Sequence, residues 1–530
     1  MALLASVALV VSVIFGVTTA SVQLSLGPHE ARYAVTTDDL VTLDVGPLGT
    51  VQIDSPLPFT LGVRVTVEEI PADVSAVDPV RTLADLQKDF KGYVQFFSAP
   101  QASVADATRA LVLDALLRSV IAFACLVAIG VAGRALLGAP RRAELAAMLA
   151  PRRRALVGSG LLVLMVAVTA VGSLNPTERR PTGQPASSVF DGTALEGARI
   201  TGRLAGVIDT YGGKVIEAYH KNQEFYRSAD RSLTTAFELR IAETRSRARA
   251  LALLRVPKAE GPAPAAVPEP AKPVTLLMVS DIHCNVGMAP LIATAARLSG
   301  ADVVLDGGDT TINGTAVEQY CVTTVARAVP HGIPIVVSDG NHDSREISAQ
   351  ERRAGMTVLA GKVVKVAGVR ILGDRDPNET RIGEGTFLSH NESAAAEGER
   401  LAKVACDDGK VDLLLIHTPP VGDVALQSGC VPVQLSGHLH VRVGPAPFGQ
   451  GVRYVNASTA GAALGQPTVG PLHGTAELTV FRFDPVKHVV VDYRLISVRP
   501  DRSAAVGPWV PFPTPAAAVP AKIAGPTPQK

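Results

Sequence analysis

Five histidines, three aspartates and one asparagine between positions 281 and 440 fall in five short clusters. The clusters are Asp281-Ile282-His283, Gly308-Asp309, Gly340-Asn341-His342-Asp343, His417 and Gly437-His438-Leu439-His440. Imidazole, carboxylate and amide oxygen are borderline-to-hard donors, suited to Mn, Fe or Zn rather than to an all-thiolate centre. One carboxylate between two ions can bridge them, and Asp309 stands where such a bridge belongs. Two ions about 3.5–4 Å apart clamp a phosphoryl group and bring a shared water to near-neutral pKa, which makes hydroxide the expected nucleophile. His417 taken alone reads more readily as a core or surface polar residue. The ordered set does not.

Apolar runs precede most of the clusters. Thr275–Val279 leads to Asp281, Val303–Leu305 to Asp309, Ile335–Val337 to Asn341 and Leu413–Ile416 to His417. Short bounded runs of this kind read as buried strands. Ligands at the carboxyl ends of successive strands converge on one rim of a sheet, where α/β proteins place their sites.

This ordered set resembles the calcineurin-like metallophosphoesterase superfamily over about residues 273–500. The resemblance implies an α/β fold, a metallophosphoesterase-type β-sandwich flanked by helices, and hydrolysis of phosphomonoesters or phosphodiesters with two divalent metal ions. Carried over by position, one ion is held by Asp281, His283, Asp309 and His440. The second is held by Asp309, Asn341, His417 and His438. His342 lies beside the phosphate and protonates the leaving group or stabilises the transition state, with Asp343 orienting it. One departure is Ile312, where the family often carries a further acid. Asn313 and Glu318 are the nearby substitutes. The alternative is a non-catalytic membrane scaffold or binding protein that keeps the fold. Its mark would be missing ligands, and none is missing here.

The chain has 530 residues, enough for two or three domains. Its net charge of +1, with no Walker-type loop and no basic, aromatic-lined stretch, predicts no specific nucleic-acid recognition. Hydrophobic content is 47% but aromatic content only 4%, a skew toward Ala, Val and Leu that fits membrane segments.

Three such segments are expected. Residues 1–20 carry no charge and read as an anchor. Thr18-Thr19-Ala20 fits a cleaved signal peptide, but no Lys or Arg precedes the apolar run. Residues 111–137 and 155–174 are the other two spans. Between them, residues 138–154 form a basic loop; Arg134 near the end of the second span, with Arg141, Arg142, Arg152, Arg153 and Arg154 of the loop, stands against Glu144 alone. The positive-inside rule puts this loop in the cytoplasm and residues 21–110 and 175–530 outside. The expected localisation is multi-pass in the cell membrane with the catalytic domain extracytoplasmic. The lipid bilayer is then a partner, and lipid-linked or cell-envelope phosphoesters are candidate substrates.

Cys284, Cys321, Cys406 and Cys430 all fall in the catalytic region, and an exported domain permits two disulfides. Three pairings are open; Cys284–Cys321 with Cys406–Cys430 closes the shortest loops, and four buried thiols is the competing reading. Residues 21–110 alternate at period two and read as a small extracytoplasmic β-rich domain. Residues 175–256 read as helical, with an aromatic and polar stretch at Tyr219–Tyr226 that fits packing on the catalytic domain, its rim or lipid headgroups. Residues 257–273 form a Pro/Ala linker, 274–503 the catalytic domain and 504–530 a disordered tail. His29, His220, His331, His390, His473 and His488 lack motif context and each reads as structural; of these, His390 follows a Gly-rich stretch that can border the site.

Overall fold

Eighteen uncharged residues make the first helix, α1 (Ala2–Thr19). The computed structural model describes residues 2–26, 29–68, 100–149, 184–185, 197–202, 204–253, 272–381, 385–463, 468 and 470–516. These belong to two units, Met1–Asp89 with Pro100–Glu217, and Phe90–Ala99 with Ala218–Lys530.

In the first unit, strands β1 (Ser21–Leu26), β2 (His29–Thr36), β3 (Leu40–Asp44), β4 (Thr50–Asp54) and β5 (Gly62–Val67) precede α2 (Pro100–Leu136). At Gly16 of α1 a Cβ would lie 2.4 Å from the Ala115 carbonyl oxygen of α2, so only glycine permits this approach. Asp114 accepts from the Ser21 amide at 2.9 Å and pairs with Arg118 at 2.6 Å, tying α2 to the start of β1. Helix α3 (Gly138–Leu149) follows, then β6 (Gln184–Pro185) and β7 (Arg199–Ile200). The sheet runs β1-β2-β5-β3-β4-β7-β6.

Two expectations change here. The β-rich region does not extend to 110, because α2 begins at Pro100. Within the segment expected to be helical, Gln184–Pro185 and Arg199–Ile200 are strands that complete the sheet, and two-residue strands carry no readable periodicity. Among the described residues one helix, Val104–Leu136, is long and apolar enough to cross a membrane. Helix α1 is shorter, and the span expected at 155–174 lies outside the described residues.

The second unit takes over α4 (Leu204–Leu253) from Ala218 onward. Phe225, Ala229, Leu233 and Phe237 recur every fourth residue, one face of a helix, and all are buried in the core. The helical reading of this stretch is met by a single long helix from Leu204 to Leu253.

Two sheets follow. The first orders as β11 (Thr357–Val358), β10 (Ile335–Val337), β9 (Val303–Asp306), β8 (Val274–Val279), β20 (Ala476–Asp484), β21 (Val489–Val498) and β22 (Ala504–Val506), with β23 (Val510–Pro511) also on β21. The second orders as β12 (Val364–Val366), β13 (Val369–Leu372), β16 (Leu413–Leu415), β17 (Val433–Ser436), β19 (Gly451–Val455) and β18 (Val443–Phe448). Strands β8 to β11 run parallel, as do β13, β16, β17 and β19. Parallel strands covered on both faces need continuous apolar runs, which is what these residues supply. Leu276, Met278 and Leu305 meet Ile371, Leu415 and Leu435 in the core between the sheets. Helices α5 (Ala289–Ser299) and α6 (Gln319–Ala328) contribute to the core with α4, on the outer side of the first sheet. Helices α8 (Ala394–Asp408) and α9 (Asp423–Ser428) cover the second sheet. Helix α7 (Arg345–Arg353) and the hairpin of β14 (Asn378–Arg381) and β15 (Gly385–Leu388) lie between these in sequence.

The domain does not stop at 503. Residues 504–506 and 510–511 pair with β21, and Phe512 is buried. The Pro-rich composition that suggests a tail is compatible with an edge strand, where a missing N–H costs nothing. Cys284–Cys321 and Cys406–Cys430 are disulfides, with Cα–Cα distances of 5.0 and 4.9 Å.

Candidate metal centre

Each ligand cluster sits just past the carboxyl end of a parallel strand. Asp281 and His283 follow β8, Asp309 follows β9, Asn341 follows β10, His417 follows β16, and His438 and His440 follow β17. The turns are tight. Asp281, His283, Asp309, His438 and His440 all have positive φ, between 43° and 73°. Non-glycine residues in this region store strain and cluster at functional sites. Glycines permit the approach: at Gly308 (φ 92°) a Cβ would lie 2.5 Å from the Gly340 amide, and at Gly437 it would lie 2.8 Å from Asp281 Oδ2.

Asp281, His283, Asp309 and His440 bring one donor atom each within 4.8 Å of one another, and Asp309, His417 and His438 do the same. Asp309 is common to both groups. Its Oδ2 lies 3.7 Å from His283 Nε2 and 3.2 Å from His417 Nε2. Its Oδ1 accepts from the His342 amide at 2.8 Å, which fixes the carboxylate plane. Asn341 Oδ1 joins the second group, 2.9 Å from His438 Nδ1.

Several contacts aim the donors. His417 Nδ1 lies 2.7 Å from the Gly307 carbonyl oxygen, so Nδ1 carries a proton and Nε2 is the nitrogen turned toward Asp309. The Asn341 amide nitrogen donates to Thr380 Oγ1 at 2.8 Å, which turns Oδ1 toward His438. Asp281 Oδ1 accepts from the His438 amide at 2.9 Å.

The donor set fits two divalent ions. Asp281 Oδ2 is buried without a hydrogen-bond partner. His283 Nε2 and His440 Nε2 lie 2.9 Å apart, a pair of lone-pair donors that a shared cation reconciles. Electrostatics agree. Burial would raise the Asp309 carboxyl, but His417 and His283 hold it well below its ordinary value. His417 is raised well above the usual range, since Asp309 and Asp281 outweigh its burial. Burial lowers His283 to about 3, so it is a neutral donor. The pocket thus calls for positive charge among the carboxylates, the charge that divalent ions carry.

The calcineurin-like phosphoesterase family matches residues 274–442, which contain every one of these donors. The chain carries a calcineurin-like phosphoesterase domain. No curated protein matches the chain. Among solved structures, an archaeal phosphodiesterase is 13% identical, covering 42% of this chain and 100% of its own, with a TM-score of 0.27. The protein TT1561 of Thermus thermophilus is 14% identical, covering 43% and 100%, with a TM-score of 0.32. A dimetal phosphatase from Danio rerio is 12% identical, covering 45% and 99%, with a TM-score of 0.29.

Within the phosphoesterase domain, His342 stands beside the first group, its ring centroid 5.1 Å from that of His283. Asp343 does not orient it. His342 Nδ1 bonds the Ile312 carbonyl oxygen at 2.6 Å. The Asp343 carboxylate is buried and turned the other way, accepting from the amides of Asp309 (2.8 Å), Thr310 (3.3 Å), Thr311 (3.0 Å) and Gly340 (2.9 Å). Its reach is short, and four amides of the two ligand turns point at it. Asp343 therefore shapes the backbone that carries Asp309.

Glu318 supplies the acid missing at Ile312. Its carboxylate accepts from the amides of Ile312 (2.7 Å), Asn313 (3.0 Å) and Thr315 (2.8 Å). That loop delivers the Ile312 carbonyl to His342. Thr380, the Gly307 carbonyl and the Ile312 carbonyl escape a motif reading. The carbonyls carry no residue signal, and Thr380 lies 39 positions from Asn341. Helix α4 buttresses the same rim: the Tyr226 hydroxyl donates to the Gly470 carbonyl at 2.7 Å and lies 2.9 Å from Asn285 Oδ1, two positions past His283.

Proposed function

We propose that the phosphoesterase domain hydrolyses phosphomonoesters or phosphodiesters at a dinuclear centre, on a chain anchored in a membrane with that domain on the extracytoplasmic side. The observation that carries the hydrolytic reading is the sharing of Asp309 Oδ2 between His283 and His417. Divalent metals at the two groups would supply Lewis acidity toward the phosphoryl oxygens and an ionised water at neutral pH. The chain does the rest. Asp309 holds the two donor groups at a common oxygen. Asn341 and His417 arrive pre-aimed by Thr380 and Gly307. His342, with Nδ1 engaged by Ile312, keeps Nε2 for proton exchange with the leaving oxygen.

Four features support the membrane placement. Helix α2 is apolar and exposes Val120 and Ile129, surface that suits lipid. Strands β4 and β7 pair across the stretch that holds α2 and the apolar run 155–174, so the chain returns to one side after an even number of crossings. The arginines between the two runs favour the cytoplasm, and two disulfides suit an oxidising compartment on the other side. A lipid-linked or cell-envelope phosphoester is the substrate class that this placement favours.

The test uses the full chain in detergent, stripped of metal and then given Mn, Zn or Fe, with p-nitrophenyl phosphate and bis-p-nitrophenyl phosphate as substrates. Turnover restored by metal and absent in Asp309→Asn supports hydrolysis, and the preferred ester separates monoesterase from diesterase. Two bound ions without turnover on any ester would favour the scaffold reading. Protease access to the domain in intact spheroplasts tests its side of the membrane.

A further inference from the structure

His390, Glu392 and Glu397 stand apart from the seven donors of the dinuclear centre, in the loop between β15 and α8 and the first turn of α8. We propose that these three side chains form a separate divalent-cation site, with a donor set and spacing suited to zinc. Their donor atoms converge within 4.8 Å. His390 Nε2 lies 3.3 Å from Glu392 Oε2 and 3.4 Å from Glu397 Oε2. Zinc–ligand bonds of about 2.0–2.1 Å at tetrahedral angles place neighbouring ligand atoms about 3.3 Å apart. The observed spacing is that of ligands around an ion.

Hydrogen bonding within the cluster points the same way. Ser389 Oγ spends its proton on the Asp376 carbonyl at 2.7 Å, so toward His390 Nδ1, also at 2.7 Å, it can only accept. The ring proton is therefore on Nδ1, and Nε2 turns a lone pair toward two carboxylate oxygens. Arg375 approaches Nδ1 only at 3.4 Å, the weaker contact. A histidine whose other nitrogen is held by a hydrogen-bond acceptor is the usual arrangement around a bound metal.

Glu397 supplies the independent sign of a missing partner. Its side chain is 1% exposed, and Oε2, the atom facing His390, has no hydrogen bond. Glu392 is different: Arg400 donates to both its oxygens and also binds Asp374. Asp374, Asp376, Glu392 and Glu397 stand near two guanidiniums, those of Arg375 and Arg400. Three protein donors leave a fourth position for water or a substrate oxygen. The site would clip the loop at 389–392 to α8, beside the hairpin whose Thr380 aims Asn341.

Zinc stoichiometry of the full chain in detergent, measured by equilibrium dialysis and elemental analysis, tests this. Three equivalents are expected for the wild type and two for Glu397→Gln and for His390→Ala, the latter truncating a partly exposed side chain that the fold tolerates better. Asp309→Asn should keep the equivalent that His390→Ala loses. Two equivalents in the wild type, or three retained in both variants, would overturn the proposal. A single equivalent, lost in His390→Ala and kept in Asp309→Asn, would uphold this site and sink the dinuclear reading instead.

Discussion

His342 Nδ1 lies 2.6 Å from the carbonyl oxygen of Ile312. A carbonyl only accepts, so this contact assigns the proton to Nδ1 and reserves Nε2 for chemistry. Ile312 is itself placed by Glu318, whose carboxylate gathers the amides of Ile312, Asn313 and Thr315. His342→Ala should lower kcat by about 10²–10⁴-fold while metal content stays unchanged. Loss of metal along with rate would instead make His342 part of the coordination shell.

Glu318→Gln reaches the same histidine indirectly. The amide keeps an acceptor but loses the charge that holds three backbone N–H groups. A fall in kcat of about 10-fold with KM and metal content near wild type is expected, the size typical of an outer-shell change. An unchanged rate would separate the loop from catalysis.

Asp309 and Asp343 carry different consequences. Asp309→Asn removes the oxygen shared by His283 and His417, so rate should fall by at least about 10³-fold with loss of bound metal, several kcal/mol of charge stabilisation. Asp343→Ala leaves four amides of the ligand turns without their acceptor. Metal affinity should drop about 10–100-fold, together with the melting temperature. Metal titration followed by calorimetry distinguishes them: an Asp343→Ala protein with wild-type affinity and slow turnover would restore the histidine-orienting role.

The Cys284–Cys321 disulfide begins one residue past His283 and anchors that turn to α6. Cys321→Ser should cost about 2–4 kcal/mol of stability. It should also weaken the group formed by Asp281, His283, Asp309 and His440 more than the other group. Equal weakening of both would mean that the disulfide acts only on global stability.

Asp306 lies buried under the centre, accepting from the Gly308 amide at 3.0 Å and Thr310 Oγ1 at 3.2 Å. Burial, with Asp343 and Asp339 nearby, pushes its carboxyl up to about 8. The folded state therefore holds the proton more tightly than the unfolded chain. Its stabilisation is fully present below about pH 4, the ordinary aspartate range, and is lost as pH rises through about 8. Metal-free Asp306→Asn should melt with a shallower dependence on pH across that window, and above the wild type at its alkaline end. Parallel curves for the two proteins would rule this out.

The metal donors could be read from the sequence because their information is local. A ligand type directly after a short apolar run states both the chemistry and, through the strand, the direction in which it is delivered. Asp281, Asp309, Asn341 and His417 each come with such a run, and the seven donors meet at one rim in the structure. Composition likewise marked α2 as apolar and the four cysteines as available for pairing. The contacts that aim the donors could not be read this way. Thr380 reaches Asn341 from a hairpin, Gly307 and Ile312 act through carbonyls that any residue possesses, and Asp343 faces amides rather than the histidine beside it in sequence. Strands β6, β7, β22 and β23 are two or three residues long and exist because neighbouring strands offer them an edge. His390, Glu392 and Glu397 converge only when α8 packs its first turn against the loop before it. Side-chain type and period are properties of the chain, whereas hydrogen-bond partners across a packed core are decided by the tertiary structure that brings distant backbone within reach.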